Sequence, residues 1–200
     1  LRFGVPRAHF CDRLDDDVRR AFEASLDALR SEGASVVDVE IPSASLIAAV
    51  YLHIVFGDAA AYHGSTLDTM PERYTAPVRV RLEMARYVLA EDYVRALEGR
   101  VVLRREVDMA LSSCDALVLP TLAIGAPPIG AATARIGDRD EPVRAVMLRL
   151  TQVFNLTGHP AITLPCGTSS DGLPCGLQLV APHMQTDALL RIAAAVESVI

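Results

Sequence analysis

Apolar residues change their period twice within the first 41 residues. Leu1 to Pro6 (LRFGVP) reads as a short strand closed by proline. Asp15, Asp16 and Asp17 then open a helix, where carboxylates favour the positive end of the helix dipole. Val18, Phe22, Leu26 and Leu29 recur at helical spacing and form one stripe, and Gly33 stands where that helix stops. From Ser35 to Ile41, Val37, Val39 and Ile41 alternate with Asp38 and Glu40, the period of a strand with one wet face. Strand, helix and strand in this order predict a βαβ unit whose two strands are parallel neighbours.

Further along, Ser43 to Ala61 is almost uniformly apolar and predicts a buried helix. Gly64 to Ala76 reads as a polar loop. Val78 to Ser113 is a long helical region with a break expected near Glu91 and Asp92. Asp115 to Pro120 (DALVLP) is a strand of the fully buried type, and Thr121 to Asp140 is loop-like. Glu141-Pro142 opens another helix, with Val143, Met147, Leu150 and Phe154 on one face and Gly158 at its end. Pro160 to Pro165 and Cys175 to Ala181 are two short strands joined by a turn-rich loop. Thr186 is the expected cap of a last helix with the stripe Leu189, Ile192 or Ala193, and Val196. The fold class is therefore α/β: a mixed β-sheet with packed helices, residues 1–200 forming a single unit with no internal boundary.

Composition sharpens this picture. The chain is 51% hydrophobic with a mean hydropathy of +0.28, which implies surface made to be covered by other polypeptide or by a second copy in a homodimer. A net charge of −6 with scattered arginines argues against nucleic acid. The longest apolar run, Leu46 to Gly57, is broken by His53 and is too short to cross a bilayer. With no secretory signal and no Cys-x-x-Cys pair, a cytoplasmic protein is expected, without metal or cofactor. The chain begins at Leu1 directly in strand-like sequence, which reads as a cut end. It contains no lysine: all 19 basic residues are arginine.

Three blocks carry a resemblance. They are LRFGVPRAHF followed by a helix and GASVVDVEIP, then SSCDALVLPTLAIGAPPIG, then TQVFNLTGHPAITLPCGTSSDGLPCGLQLVAP with a terminal helix. In this order they resemble the C-terminal half of amidase-signature hydrolases, which cut carboxamides with a serine nucleophile. The resemblance implies a catalytic half lying N-terminal to these blocks. There a neutral lysine takes the proton of a bridging serine, which takes that of the nucleophile, and backbone N–H groups hold the oxyanion. Arginine cannot replace that lysine, because its guanidinium stays protonated. The expectation is the C-terminal part of an amide hydrolase for a small or apolar carboxamide, inactive alone and partnered by its missing N-terminal half. The alternatives are a non-enzymatic binding or assembly module, and a part of an aminoacyl-tRNA amidotransferase similar to its amidase-type A-subunit.

No residue here is assigned a catalytic role. Gly167-Thr168-Ser169-Ser170-Asp171-Gly172 superficially matches a nucleophile loop, but Asp-Gly supplies an ordinary hairpin turn. Thr151 and Asn155 are candidates for the rim of an amide pocket, or Asn155 holds a local turn through side-chain bonds. Arg81, with Arg79, lies where amidotransferase-type relatives hold a substrate carboxylate, or else on a solvated helix face. The acid those relatives carry before the Asn-Leu-x-Gly motif is missing from Met147-Leu148-Arg149-Leu150, which counts against a glutamine-type substrate. His159 stands where the family often has Asn and is either a substrate contact or a turn residue. His53 is expected as a buried, hydrogen-bonded histidine and His63 as a loop histidine; their spacing suits no metal on one helix face. Cys166 and Cys175 are placed to face each other across paired strands, as a disulfide only in a secreted protein. His9 and Cys11 lack the third group a Cys–His hydrolase needs.

Overall fold

A computed structural model describes all residues, Leu1–Ile200. Its centre is a five-stranded mixed sheet in the order β2-β1-β3-β7-β6. β1 (Arg2–Pro6) pairs parallel with β2 (Ser35–Val39) and with β3 (Ala116–Pro120). β7 (Pro174–Val180) runs antiparallel to both β3 and β6 (Ala161–Thr168). The βαβ unit and the mixed sheet are thus as the residue pattern predicts. All five residues of β3 are buried, as an uninterrupted apolar strand at the middle of a covered sheet must be.

The first long helix, α2 (Asp16–Ser31), shows how sequence becomes packing. Asp15 is its N-cap and accepts the Asp17 N–H at 2.8 Å, a cap worth about 1 kcal/mol. Val18, Phe22, Leu26 and Leu29 are all buried, and the helix lies against β2, β3, β6 and β7. Complete burial of side chains such as Phe22 and Leu26 contributes about 1.5–3 kcal/mol each. Gly33 follows the helix at φ +83°. Between β1 and α2, the short α1 (Arg7–Phe10) is helical in name only, since Ala8 and His9 have non-helical backbone angles.

Several expectations are corrected. The apolar stretch after Ile41 becomes a 3-10 turn (Pro42–Leu46) and then α3 (Ile47–Thr69), which runs eight residues beyond Ala61 and absorbs His63 and Gly64. It is not a buried helix: only Ile47, Val50, Ile54 and Leu67 are buried, while Leu52, Val55 and Tyr62 are exposed. At this length Pro42–Thr69 is long and apolar enough to cross a membrane, contrary to the reading of the shorter run, but it packs here on α4 (Ala76–Ala85) and α5 (Ala90–Leu111). Glu106 of α5 anchors its start, accepting the Ser43 N–H at 2.8 Å and the Ser43 hydroxyl at 2.7 Å. The break between α4 and α5 falls at residues 86–89, so Glu91 and Asp92 lie in the first turn of α5.

The segment read as a loop from Thr121 to Asp140 contains a hairpin, β4 (Thr133–Ile136) with β5 (Arg139–Pro142). Gly137, at φ +59°, takes the first turn position, where a two-residue turn of the II′ kind needs positive φ. The helix expected from Glu141 is two short ones, α6 (Val143–Leu148) and α7 (Gln152–Thr157), closed by Gly158 in the left-handed conformation. Thr186 does not cap α8 (Thr186–Glu197); Gln185 holds the cap position and no side chain bonds there.

Candidate functional site

A cleft of about 510 Å3 opens between α3, α4, α6 and the His9 turn. Ile47, Tyr51 and Val55 recur every four residues on α3 and give it an apolar wall. Across from them lie Arg81 of α4, Arg13, Arg144 and Arg149, with Glu141 as the one carboxylate in the lining. Arg13 pairs with Glu141 at 3.2 Å. Arg149 is committed to the His9 turn: its Nε and Nη2 donate to the His9 carbonyl at 3.2 and 2.7 Å, and Nη2 also donates to Asp12 at 2.8 Å. Arg81 and Arg144 make no ion pair. A cleft with an apolar wall and two uncommitted guanidiniums suits a ligand with an apolar body and a carbonyl or carboxylate oxygen.

His9 marks the cleft's most constrained backbone. Its φ of 69° and ψ of −43° lie near a γ-turn that non-glycine residues seldom adopt. Such strain persists only where surrounding structure holds it, and the Arg149 fork on its carbonyl does so. Burial, then the Arg149 charge, lowers the His9 imidazole to a pKa of about 4. The ring is therefore neutral at pH 7.

Of the residues predicted for a site, only Arg81 lines this cleft. Arg79 faces Glu83 at 3.8 Å, as on a solvated helix surface. Thr151 sits half-buried at the start of α7, its hydroxyl 3.4 Å from the Leu148 carbonyl. Asn155 is exposed on α7, and its side chain makes none of the turn-holding bonds anticipated for it. His159 does not line the cleft: it is 5% exposed and belongs to a separate polar cluster with Asp108, Thr157 and His183. The spacing rule missed that cluster, because its members come from α5, the last residue of α7 and the two turns that precede β6 and α8. It equally missed Arg13, Arg144 and Arg149, which carry no motif, and His9, which lies in the first motif block but to which the residue pattern assigns no part in a site.

The remaining chemistry falls into place as structure. His53 bonds to the Ala49 carbonyl at 2.8 Å but is only half-buried, and His63 sits within α3, 3.0 Å from the Tyr74 hydroxyl, not in a loop. All four cysteines are free thiols. Burial raises Cys11 and Cys166 to pKa values of about 11, which makes both poor nucleophiles at neutral pH. Ser169 and Ser170 lie in the β6–β7 turn: the Ser169 hydroxyl accepts the Leu173 N–H, and Ser170 donates to Asp17 through its N–H and its hydroxyl at 2.7 and 2.8 Å. The Ser169 hydroxyl faces no base, and the Asp17 carboxylate that Ser170 meets, held at a pKa of about 2, is too weak a base to activate it.

Comparison with known proteins gives one consistent answer. The amidase family profile matches residues 1–190. An amidase of Pseudomonas putida is 38% identical over 205 residues, which take in 98% of this chain and 42% of that protein. The A-subunit of a glutamyl-tRNA(Gln) amidotransferase from Koribacter versatilis is 28% identical over 223 residues, 98% of this chain and 45% of the relative. A crystal structure of an amidase superposes with a TM-score of 0.93 at 31% identity, over 98% of this chain and 45% of that one. The chain spans less than half the length of these relatives, and the part it matches is their C-terminal portion.

Proposed function

The chain belongs to the amidase family, and on that premise we propose that it is the C-terminal part of an amide hydrolase converting a small or apolar carboxamide to a carboxylate and ammonia or an amine. The observation that carries this reading is the cleft in which Arg81 and Arg144 stand unpaired opposite the apolar wall of α3. In this reading the chain is one 200-residue unit that supplies a substrate wall and scaffold. Arg81 holds a substrate oxygen at the cleft, and Thr151, Asn155 and His159 are the other candidates for substrate contact. Of these, Thr151 directly precedes the cleft-lining Gln152 in the chain. His159 is too deeply buried to meet a substrate unless its cluster opens.

The chain holds no lysine, and its two look-alike serines face no base strong enough to activate them, since Ser170 meets only the weakly basic Asp17 carboxylate. The proton relay and the nucleophile therefore belong to an N-terminal half of the same enzyme. The exposed side chains Val78, Val80, Met84, Val94, Val101 and Val102 on α4 and α5 are the apolar surface such a half, or a second copy in a homodimer, would cover. We place the protein in the cytoplasm, with neither nucleic acid nor membrane as a partner.

A second reading, part of an amidotransferase's amidase-type A-subunit, draws on the Koribacter versatilis relative and on Arg81 in the cleft. Against it stands the run Met147-Leu148-Arg149-Leu150, which offers no acid beside the cleft. A third, a non-catalytic assembly module, predicts no lysine and no Gly/Ser-rich loop in the coding sequence before Leu1.

The test has two arms. The pure 200-residue chain should show no turnover of acetamide or benzamide; turnover lost on Ser169→Ala or Ser170→Ala would overturn the assignment. In the longer polypeptide encoded with this chain, Arg81→Ala should raise KM about tenfold or more with a smaller change in kcat.

A further inference from the structure

We propose that Asp108, His159 and His183 bind a divalent transition-metal ion of the zinc class. One ligand-type atom from each of the three lies within 4.8 Å of the others, although the residues stand 51 and 24 positions apart in the chain. They meet where α5 passes the turn before β6 and the turn before α8.

Hydrogen-bond accounting carries the argument. The Thr157 hydroxyl donates its only proton to the Val153 carbonyl at 2.9 Å. Nδ1 of His159 lies 2.8 Å from that same oxygen, so Nδ1 must be the donor there. In the neutral ring Nε2 then carries a lone pair, and it faces Asp108 Oδ1 at 3.0 Å. Two acceptors would then confront each other at hydrogen-bond distance, a contact that either a proton on Nε2 or a metal ion relieves. Beside them, Nε2 of His183 is buried with no hydrogen-bond partner, on a ring whose centroid is 3.9 Å from that of His159. Buried polar atoms without partners are rare and require a reason. One metal ion satisfies all three atoms.

The geometry suits such an ion. Zinc bonds of about 2.0–2.2 Å in a tetrahedral site set ligand atoms roughly 3.3–3.5 Å apart. The His159–Asp108 pair is already close to that separation, and bringing His183 in from within 4.8 Å needs a shift of about 1 Å. Thr157 plays the outer-shell part, fixing the tautomer and ring orientation of His159. Asp108 is 49% exposed, which provides an entry path and room for a water as fourth ligand. Two imidazoles and a carboxylate favour zinc, cobalt or nickel over magnesium or calcium. Arg104, which donates from Nε to the Thr157 carbonyl at 2.9 Å, is the nearby positive charge and weakens the site without blocking it. The bound ion would tie α5 to the turn that launches α8. That turn is held by Met184 at φ +61°, a conformation usually left to glycine.

The experiment is a titration of the chelator-stripped, tag-free chain with Co2+, followed by its visible absorption, and competition with Zn2+. The expected result is one ion per chain, a higher Tm with the metal, and at least about tenfold weaker binding in Asp108→Asn and His183→Ala. Thr157→Val, which removes no ligand, should also weaken binding. Asp108 is half-exposed, so Asp108→Asn stays folded, as circular dichroism would verify. No Co2+ spectrum, or equal binding in Asp108→Asn, would overturn the proposal and leave a protonated His159 paired with Asp108.

Discussion

Arg149 and His9 are 140 residues apart in the chain, yet the Arg149 guanidinium donates two hydrogen bonds to the His9 carbonyl, at 3.2 and 2.7 Å. Arg149 is largely buried, and the fork holds a residue whose backbone is left-handed. Hydrogen bonds from a charged donor are worth about 1.5–3 kcal/mol. Arg149→Ala should therefore cost about 2–3 kcal/mol in urea unfolding. Arg149→Lys should recover only part of it, because an ammonium cannot reproduce the planar fork.

The His9 imidazole has its pKa lowered by burial and by Arg149 to about 4 in the folded chain. The unfolded chain takes up this proton first as pH falls, so the neutral ring's contribution is complete above pH 6.5 and is lost between 6.5 and about 4. After solvent screening this amounts to about 1–2 kcal/mol. His9→Asn should flatten the dependence of Tm on pH across that window; an unchanged slope would show that His9 is not held neutral.

Asp17 is held at a pKa of about 2, first by the Ser170 N–H, then by its hydroxyl and by Arg20. This carboxylate stabilises the fold at all pH values above its ordinary value near 4, and the contribution disappears as pH falls toward 2. Ser170→Ala should raise the Asp17 pKa in a carboxylate titration followed by NMR and move acid unfolding to higher pH.

Gly4 sits in β1 where an added Cβ would lie 2.9 Å from Cys114 Sγ and 3.1 Å from both Leu117 and Val39. These three side chains, from β2, β3 and the turn that follows α5, would have to shift to admit it. Gly4→Ala should cost about 1–3 kcal/mol through overpacking, read as a lower midpoint of denaturant unfolding at an unchanged slope.

What could be read from the residues was whatever local periodicity encodes. The stripe Val18, Phe22, Leu26 and Leu29 has one face to bury and is buried on it. The alternation of Val37 and Val39 with Asp38 fits the edge strand β2, and the unbroken apolar run at Leu117 to Leu119 fits the centre of the sheet. The three motif blocks likewise point to the family that the comparisons identify. The uniformly apolar stretch of α3 was ambiguous because it has no polar face. Nothing local told whether the whole chain covers such a helix, and here much of it is left in the open.

Partners distant in sequence were decided only in three dimensions. Arg149 looks like any surface arginine until the fold brings the His9 carbonyl to it. His159 reads as a turn residue until α5 brings Asp108, and the turn before α8 brings His183. Local sequence sets backbone propensity and which face is apolar. Charges and lone pairs act over a few ångströms, so their meaning depends on neighbours that only chain folding supplies.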